Sequence, residues 1–418
     1  MLSRVRIQAA PRALLLVLLC VLAYAPMLSI PLMEDDWPNL AQSLKSGSWD
    51  GLPILLGDAV FRLRATSYWV MYDLWSTFHA APVAYHVVSL LLHICGTLLL
   101  YIALREMPPV RGAAFYAAGF FAVAEGHQEA VMWFSAINEL LMFTFGMAAI
   151  VAWLAAESRP GRGWALRTLS LTCFALALLS KESAVILLPL MLLARPAAKW
   201  RQAVWRLSPY AMLAALAIVS LLVARSYSFR FTDGSFSLSG PLWIILPKNV
   251  ARLLWIWGWM AMPLVLRGKA TRVAAVGSLA WIVLALLPYS FLTYSTQIPS
   301  RQTYLASAGL ALLFGLAATQ IASRRLMAAV LVVALLHNAG YLWIRKRAQF
   351  LQRAEPTEQL IRLARQTDGP IRVQCFPRVR LIADEAVHLG AGRPASTLLW
   401  SEAEAREHPP AATFCYGK

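Results

Sequence analysis

The sequence predicts an all-α polytopic membrane protein. Hydrophobic residues make up 59% of the chain and charged residues only 14%, and the apolar residues gather in about eleven runs. Runs of roughly 17 to 25 apolar residues can cross a ~30 Å hydrocarbon core. The net charge of +17 is spread between alternate runs instead of forming one patch. That distribution argues against a nucleic-acid partner and for an oriented membrane protein in contact with the lipid bilayer.

The expected spans lie near residues 13 to 32, 83 to 104, 112 to 124, 133 to 155, 165 to 180, 183 to 194, 207 to 224, 247 to 266, 272 to 291, 303 to 322 and 326 to 344. Those around 112, 165 and 183 are short for a helix rising about 1.5 Å per residue, so tilting or re-entrance is expected there. With a cytoplasmic N-terminus, the inner segments hold Arg4, Arg6, Arg12, Arg105, Arg111, Arg159, Arg162, Arg167, Arg195, Lys199, Arg201, Arg206, Arg267, Lys269, Arg272, Arg324 and Arg325. The outer connections hold Glu34, Asp35, Asp36, Asp50, Asp58, Glu125, Glu129 and Asp233 instead, as the positive-inside tendency predicts. The first run, basic and then apolar, has a signal-like Ala-Tyr-Ala at 23 to 25 but is expected to be retained as a signal-anchor.

Residues 1 to 344 thus form the expected membrane domain, and residues 345 to 418 a small extracytoplasmic α/β tail. The tail should contain a helix at 355 to 366, a strand at 370 to 376 and a helix at 381 to 389. It is too short for a large core of its own, should dock on the outer face, and shows no catalytic motif. Cys20, Cys95 and Cys173 fall in apolar runs and read as small buried hydrophobes. Cys375 and Cys415 fall in the tail, outside the cytoplasm, and are expected to pair.

The chemistry is expected at the outer boundary. Glu34, Asp35 and Asp36 follow the first span directly, and carboxylates there are costly unless they bind an ion, relay a proton or act as a base. The first outer loop, residues 33 to 82, reads as structured interfacial helices. A second, residues 225 to 246, has Tyr227, Phe229, Phe231, Phe236 and Trp243 among Ser and Gly; it suits a flap or plain interfacial aromatics equally. Other polar residues beside the spans are Arg64, His79, His86, His93, His127, Glu129, Asn138, Glu139, Lys181, Glu182, Arg301, Gln302 and Tyr304, many at the same outer level. His86 and His93, one heptad apart, are the strongest candidates for helix-packing hydrogen bonds. Carboxylates beside cations at that level suit transfer from a phosphate-linked donor: the cations hold the phosphate while a carboxylate deprotonates a hydroxyl.

Five segments resemble the GT-C glycosyltransferases, particularly the membrane part of the transmembrane and tetratricopeptide-repeat O-mannosyltransferases and their bacterial relatives. They are Asp35-Asp36; Arg64 followed by Pro82-Val-Ala-Tyr85-His86 through His93; Phe121 through His127-Gln-Glu129 to Trp133 and on to Asn138-Glu139; Leu178-Leu-Ser180-Lys181-Glu182; and Arg301-Gln-Thr-Tyr304 through Gly309. The resemblance implies the GT-C fold with about 11 transmembrane helices and an inverting transfer from a polyprenyl-phosphate sugar to a hydroxyl acceptor. It implies Asp35 as general base with Asp36 in support and Glu129 as the second-loop acid. Arg64, Lys181 and Arg301, with Tyr304 beside them, would take the donor phosphate. Glu34, His127, Asn138, Glu139 and Glu182 would support the site.

The chain departs from the family pattern at Ala124-Glu125, where the family has His-Pro, and at Ile137 and Ala65. The repeat domain is absent, so the acceptor could be a protein, a lipid or a surface glycan. A divalent ion, magnesium or manganese, on Asp35, Asp36 and Glu129 stays open. The setting implied is a bacterial inner membrane with the site facing outward. A polyprenyl-phosphate lipid flippase or transporter is the alternative, alongside a non-catalytic lipid-binding member. Against transport stand the lack of an evident inverted repeat and the gathering of charge at one face.

Overall fold

A computed structural model describes residues 9 to 158, 161, 163 to 194, 200 to 224, 240 to 291 and 296 to 417. Positions 4, 6, 159, 162, 195 and 199 of the basic pattern, and the aromatic loop apart from residues 240 to 246, lie outside the described residues.

Every apolar run is helical. The membrane portion comprises α1 (Ala9–Tyr24), α4 (Pro82–Glu106), α5 (Ala114–Val123), α6 (Ile137–Ser158), α7 (Gly163–Leu178), α8 (Leu187–Leu193), α9 (Ser208–Ala224), α10 (Leu242–Val265), α11 (Lys269–Leu286), α12 (Tyr304–Thr319) and α13 (Arg324–Gly340). Between α1 and α4 run α2 (Asp36–Ser46), two short helices and α3 (Ala65–Phe78), so the first outer loop is structured helix. Six helical stretches among the described residues are long and apolar enough to cross a membrane. A seventh arises if the bent pair Trp200–Arg206 and Ser208–Ala224 counts as one span. Gly163–Leu178 and Glu182–Leu193 are shorter. The protein is an integral, multi-pass membrane protein, and among the described residues length and composition by themselves support six or seven crossings.

Burial separates the helices by role. Helix α12 and the helix beginning at Phe134 are enclosed on nearly all sides, 83% and 78% of their most apolar windows being buried. Their small residues explain how. A Cβ on Gly315 would lie 2.8 Å from the Ala113 carbonyl and the Ala117 amide, so bare backbone there lets α12 touch α5 and the turn preceding it. Leu242–Val265 breaks its helical path at Trp255 (φ 41°) and contains Pro247 and Pro263. Cys20 and Cys173 are buried, but Cys95 is exposed. It lies two positions, about 200°, past the inward-facing His93 on α4 and so points outward.

Helix α13 continues through one π-helical turn, Tyr341–Lys346, into α14 (Arg347–Gln366), making a 43-residue rod. Beyond it β1 (Ile371–Cys375), α15 (Arg380–Ala391), β2 (Leu398–Leu399) and β3 (Ala412–Cys415) form a parallel sheet of order β2-β1-β3. Its core is Leu360, Ile371, Val373, Ala383, Val387, Leu398 and Phe414. Cys375 and Cys415 are joined in a disulfide across β1 and β3. The tail packs onto the first outer loop: Ile361 and Ala386 share a cluster with Trp37, Leu40, Tyr68 and Phe134.

Alkylation of the denatured, unreduced protein is expected to modify three cysteines, rising to five after reduction. Intact mass measures the difference; five reactive thiols before reduction would contradict the Cys375–Cys415 bond.

Candidate active site

The acidic triplet turns the corner between the C-terminal end of the first span and α2. Glu34 adopts φ 47°, a left-handed conformation that costs a residue with a Cβ about 1 to 3 kcal/mol unless its surroundings enforce it. Here they do. The nearly buried Glu34 carboxylate accepts Arg353 Nε at 3.2 Å and Nη2 at 2.5 Å, and Arg378 Nη2 lies 2.5 Å from the same group. Both arginines come from the tail.

Asp36, 1% exposed, faces the other way. It accepts the Met33 amide at 2.8 Å, the Ser135 amide at 2.7 Å and the Ser135 hydroxyl at 2.6 Å. These bonds tie the first outer loop to the second. Burial pushes its pKa up to about 7 against the pull of the three donors, with the Asp35 charge adding to the rise.

Asp35 lies between them and is exposed. Its carboxylate has no hydrogen bond or ion pair among the described residues. Packing around it removes part of its water and raises its pKa; Arg301, Arg353 and Arg378 pull it down, while Glu34 adds to the rise. An open cavity of about 460 Å3 lies against it, lined by Glu34, Asp35, Pro377, Arg378, Val379 and Ile382.

Glu129 closes the other side, 3.8 Å from Arg301 and 3.6 Å from Arg353, and its carboxylate also accepts the Arg301 amide at 3.3 Å. The guanidiniums of Arg301 and Arg353 lie 4.8 and 4.6 Å from the Trp133 ring centre, which holds them in place. Arg252 and Lys346 add further positive charge near Glu125.

The remaining candidates form two other groups. Lys181 and Glu139 make a buried ion pair, with the Tyr289 hydroxyl 3.3 Å from Glu139, and Arg64 pairs with Glu182 at 3.2 Å. Asn138 is half-buried in the first turn of α6. Tyr304, 1% exposed, bonds His93 at 2.7 Å inside the bundle. His127 bonds Ser307 at 2.8 Å, and His86 bonds the Ile30 carbonyl at 2.9 Å. These histidines join helices. The site therefore brings together Glu34, Asp35, Asp36, Glu129 and Arg301, but not Arg64, Lys181 or Tyr304.

The sequence reading missed Arg353 and Arg378. A signal existed: Arg345, Lys346, Arg347, Arg353, Arg362, Arg365, Arg372, Arg378 and Arg380 crowd a tail expected outside, where the positive-inside tendency disfavours them. Such an excess needs acidic partners, and the first outer loop carries them. Of the three carboxylates on which a divalent ion was left open, Asp36 is engaged by three donors and Glu129 by two guanidiniums, while Asp35 is unengaged among the described residues. Among the described residues no group of three or more His, Cys, Asp or Glu is arranged to hold a metal.

Comparison with known proteins finds no matching family model and no matching curated sequence. Solved structures match over almost the whole chain, which shares their fold. ArnT from Cupriavidus metallidurans in the apo state aligns at TM-score 0.56 and 13% identity, over 98% of this chain and 90% of that one. The same protein bound to undecaprenyl phosphate aligns at 0.53 and 13%, over 96% and 89%. The Archaeoglobus fulgidus oligosaccharyltransferase, in complex with zinc and sulfate, aligns at 0.50 and 12%, over 92% of this chain and 62% of that one.

Asp36→Ala orphans the buried Met33 amide and the half-buried Ser135 amide and should destabilise the fold by about 1 to 3 kcal/mol, read as a fall in melting temperature in detergent. Because the folded pKa of Asp36, about 7, exceeds the ordinary 3.8, its share of stability is complete below about 3.8 and lost as pH rises through about 7. The variant should lack that slope; an unchanged slope would place the titration elsewhere.

Proposed function

We propose that the protein is an inverting glycosyltransferase that moves a sugar from a polyprenyl-phosphate donor to a hydroxyl acceptor at the outer face of a bacterial inner membrane. One observation carries the reading. Glu34, Asp36 and Glu129 are engaged by arginines or amide donors, whereas Asp35 alone presents an unengaged carboxylate to an open cavity, with three guanidiniums around it.

In this mechanism Asp35 takes the proton from the acceptor hydroxyl as that oxygen attacks the anomeric carbon. The bond from that carbon to the phosphate oxygen breaks on the opposite face, and the electron pair leaves with polyprenyl phosphate. Arg301 and Arg353 meet the departing charge from positions fixed against Trp133 and Glu129. Lys181 and Arg64 pair with Glu139 and Glu182 in a group apart from the guanidiniums that act on Asp35, so we assign them to bracing the connections between spans, and Asp36 to holding the loop. The bound undecaprenyl phosphate of the ArnT structure supports a donor of this class. The disulfide supports placing the tail outside the cytoplasm, where such bonds persist.

The test is transfer by liposome-reconstituted protein supplied with radiolabelled polyprenyl-phosphate sugars and a crude envelope extract as acceptor. Asp35→Asn should cut turnover by about 100-fold or more while leaving donor binding intact. Turnover at the wild-type rate would exclude Asp35 as the base, and donor bound but never consumed by the wild type would favour a flippase or a lipid-binding protein. Arg301→Ala should weaken undecaprenyl phosphate binding by about 10-fold, as loss of a charge-assisted contact does. Unchanged binding and turnover would make Arg301 structural.

A further inference from the structure

Building on the transfer reading above, we propose that the C-terminal tail is a working part of the active site. Glu34 and the Cys375–Cys415 disulfide together position Arg378 beside Asp35.

Two observations made on different elements converge here. Arg353, from α14, and Arg378, from the connection between β1 and α15, both end on the Glu34 carboxylate. Glu34 is the chain neighbour of Asp35 and is held in a left-handed conformation, so the position is set by its partners and not by local preference. Independently, Arg378 lies three residues after Cys375, and Cys375 is bonded to Cys415 across β1 and β3. The Tyr416 amide also bonds the Cys375 carbonyl at 2.9 Å. Pro377, with its restricted φ, stands between the disulfide and the arginine. Pro377, Arg378, Val379 and Ile382 then form the tail's wall of the cavity, with Glu34 and Asp35 opposite.

The electrostatic consequence is specific. An ionised Glu34 alone would repel both a charged Asp35 and an anionic donor. Two guanidiniums on one carboxylate reverse the sign, leaving a net positive charge next to Asp35. The charged groups facing Asp35 are Arg301, Glu34, Arg353 and Arg378, with Asp36 behind it. Removing Arg378 therefore favours the protonated Asp35, and removing the Glu34 charge favours the ionised one. A tail that merely stabilised the fold would move neither.

Asp35 is exposed enough to be labelled, and carbodiimide reacts with the protonated carboxyl. Labelling of nanodisc-held, full-length protein, followed by peptide mass spectrometry across pH, gives the midpoint at Asp35 without any assay of transfer. In Arg378→Gln the midpoint should rise by about one pH unit, and Arg378→Lys should restore most of the shift. Glu34→Gln should lower it. Reducing the disulfide in the folded wild type should raise it as Arg378→Gln does. Midpoints unmoved in both Arg378→Gln and Glu34→Gln would overturn the proposal, and a reduced protein titrating like the oxidised one would remove the disulfide from it. Absence of sugar transfer by the wild type would sink the glycosyltransferase reading alone, because the labelling is independent of it.

Discussion

The constraint on which this structure turns is that a charge withdrawn from water must find a partner. At the ends of the spans the chain places Glu34, Asp35, Asp36 and Glu129 within reach of one another, an arrangement that like-charge repulsion and desolvation would break if each were left alone. Each acid but one is answered by a different device. Glu34 has two tail arginines, Asp36 has two backbone amides and a hydroxyl, and Glu129 shares two arginines stacked near Trp133. The exception, Asp35, is the group most open to a substrate. Its isolation follows from the solutions found for its neighbours.

The same constraint explains why the outer connections and the tail behave as one piece. Asp36 joins the first outer loop to residues 133 to 135, and the segment then runs into α6, where Glu139 holds Lys181 of the next connection. Glu129 joins that loop to Arg301 at the entrance of α12, and Glu34 joins the first loop to the tail. Five separate stretches of chain are thus cross-linked by ionic or charge-assisted bonds. Beneath them, His86, His93 and His127 bond across helices and fix the ends of the spans from which these loops emerge.

Much of this was legible from the residues. The apolar runs became helices with nearly the expected limits, and the first loop formed helices, because both depend on local periodicity. His86 and His93 also proved to be packing groups. Composition by itself does not fix the crossing number, since a helix such as Ala114–Val123 is apolar enough for a span but has only 10 residues. Nor were the partners of the acids. Asp35 and Asp36 look alike in sequence, and only tertiary placement gives Asp36 three donors and Asp35 none. Arg353 and Arg378 lie more than 300 residues from Glu34, in a tail that offers no motif, so their convergence is visible only after folding.

That separation bears on how a site of this kind can tolerate change. A buried pair such as Lys181 with Glu139 is costly to break, about 3 to 5 kcal/mol when one partner is removed, because the remaining charge is stranded. Arg378, at 38% side-chain exposure, is cheaper to lose, since water can take over part of its work at Glu34. Substitutions in the buried pairs should therefore act mainly on whether the protein folds, and substitutions in the tail arginines on how the folded site is charged. Of the groups that set the field around Asp35, Arg378 is the one most open to water, where charge can be retuned without rebuilding the bundle.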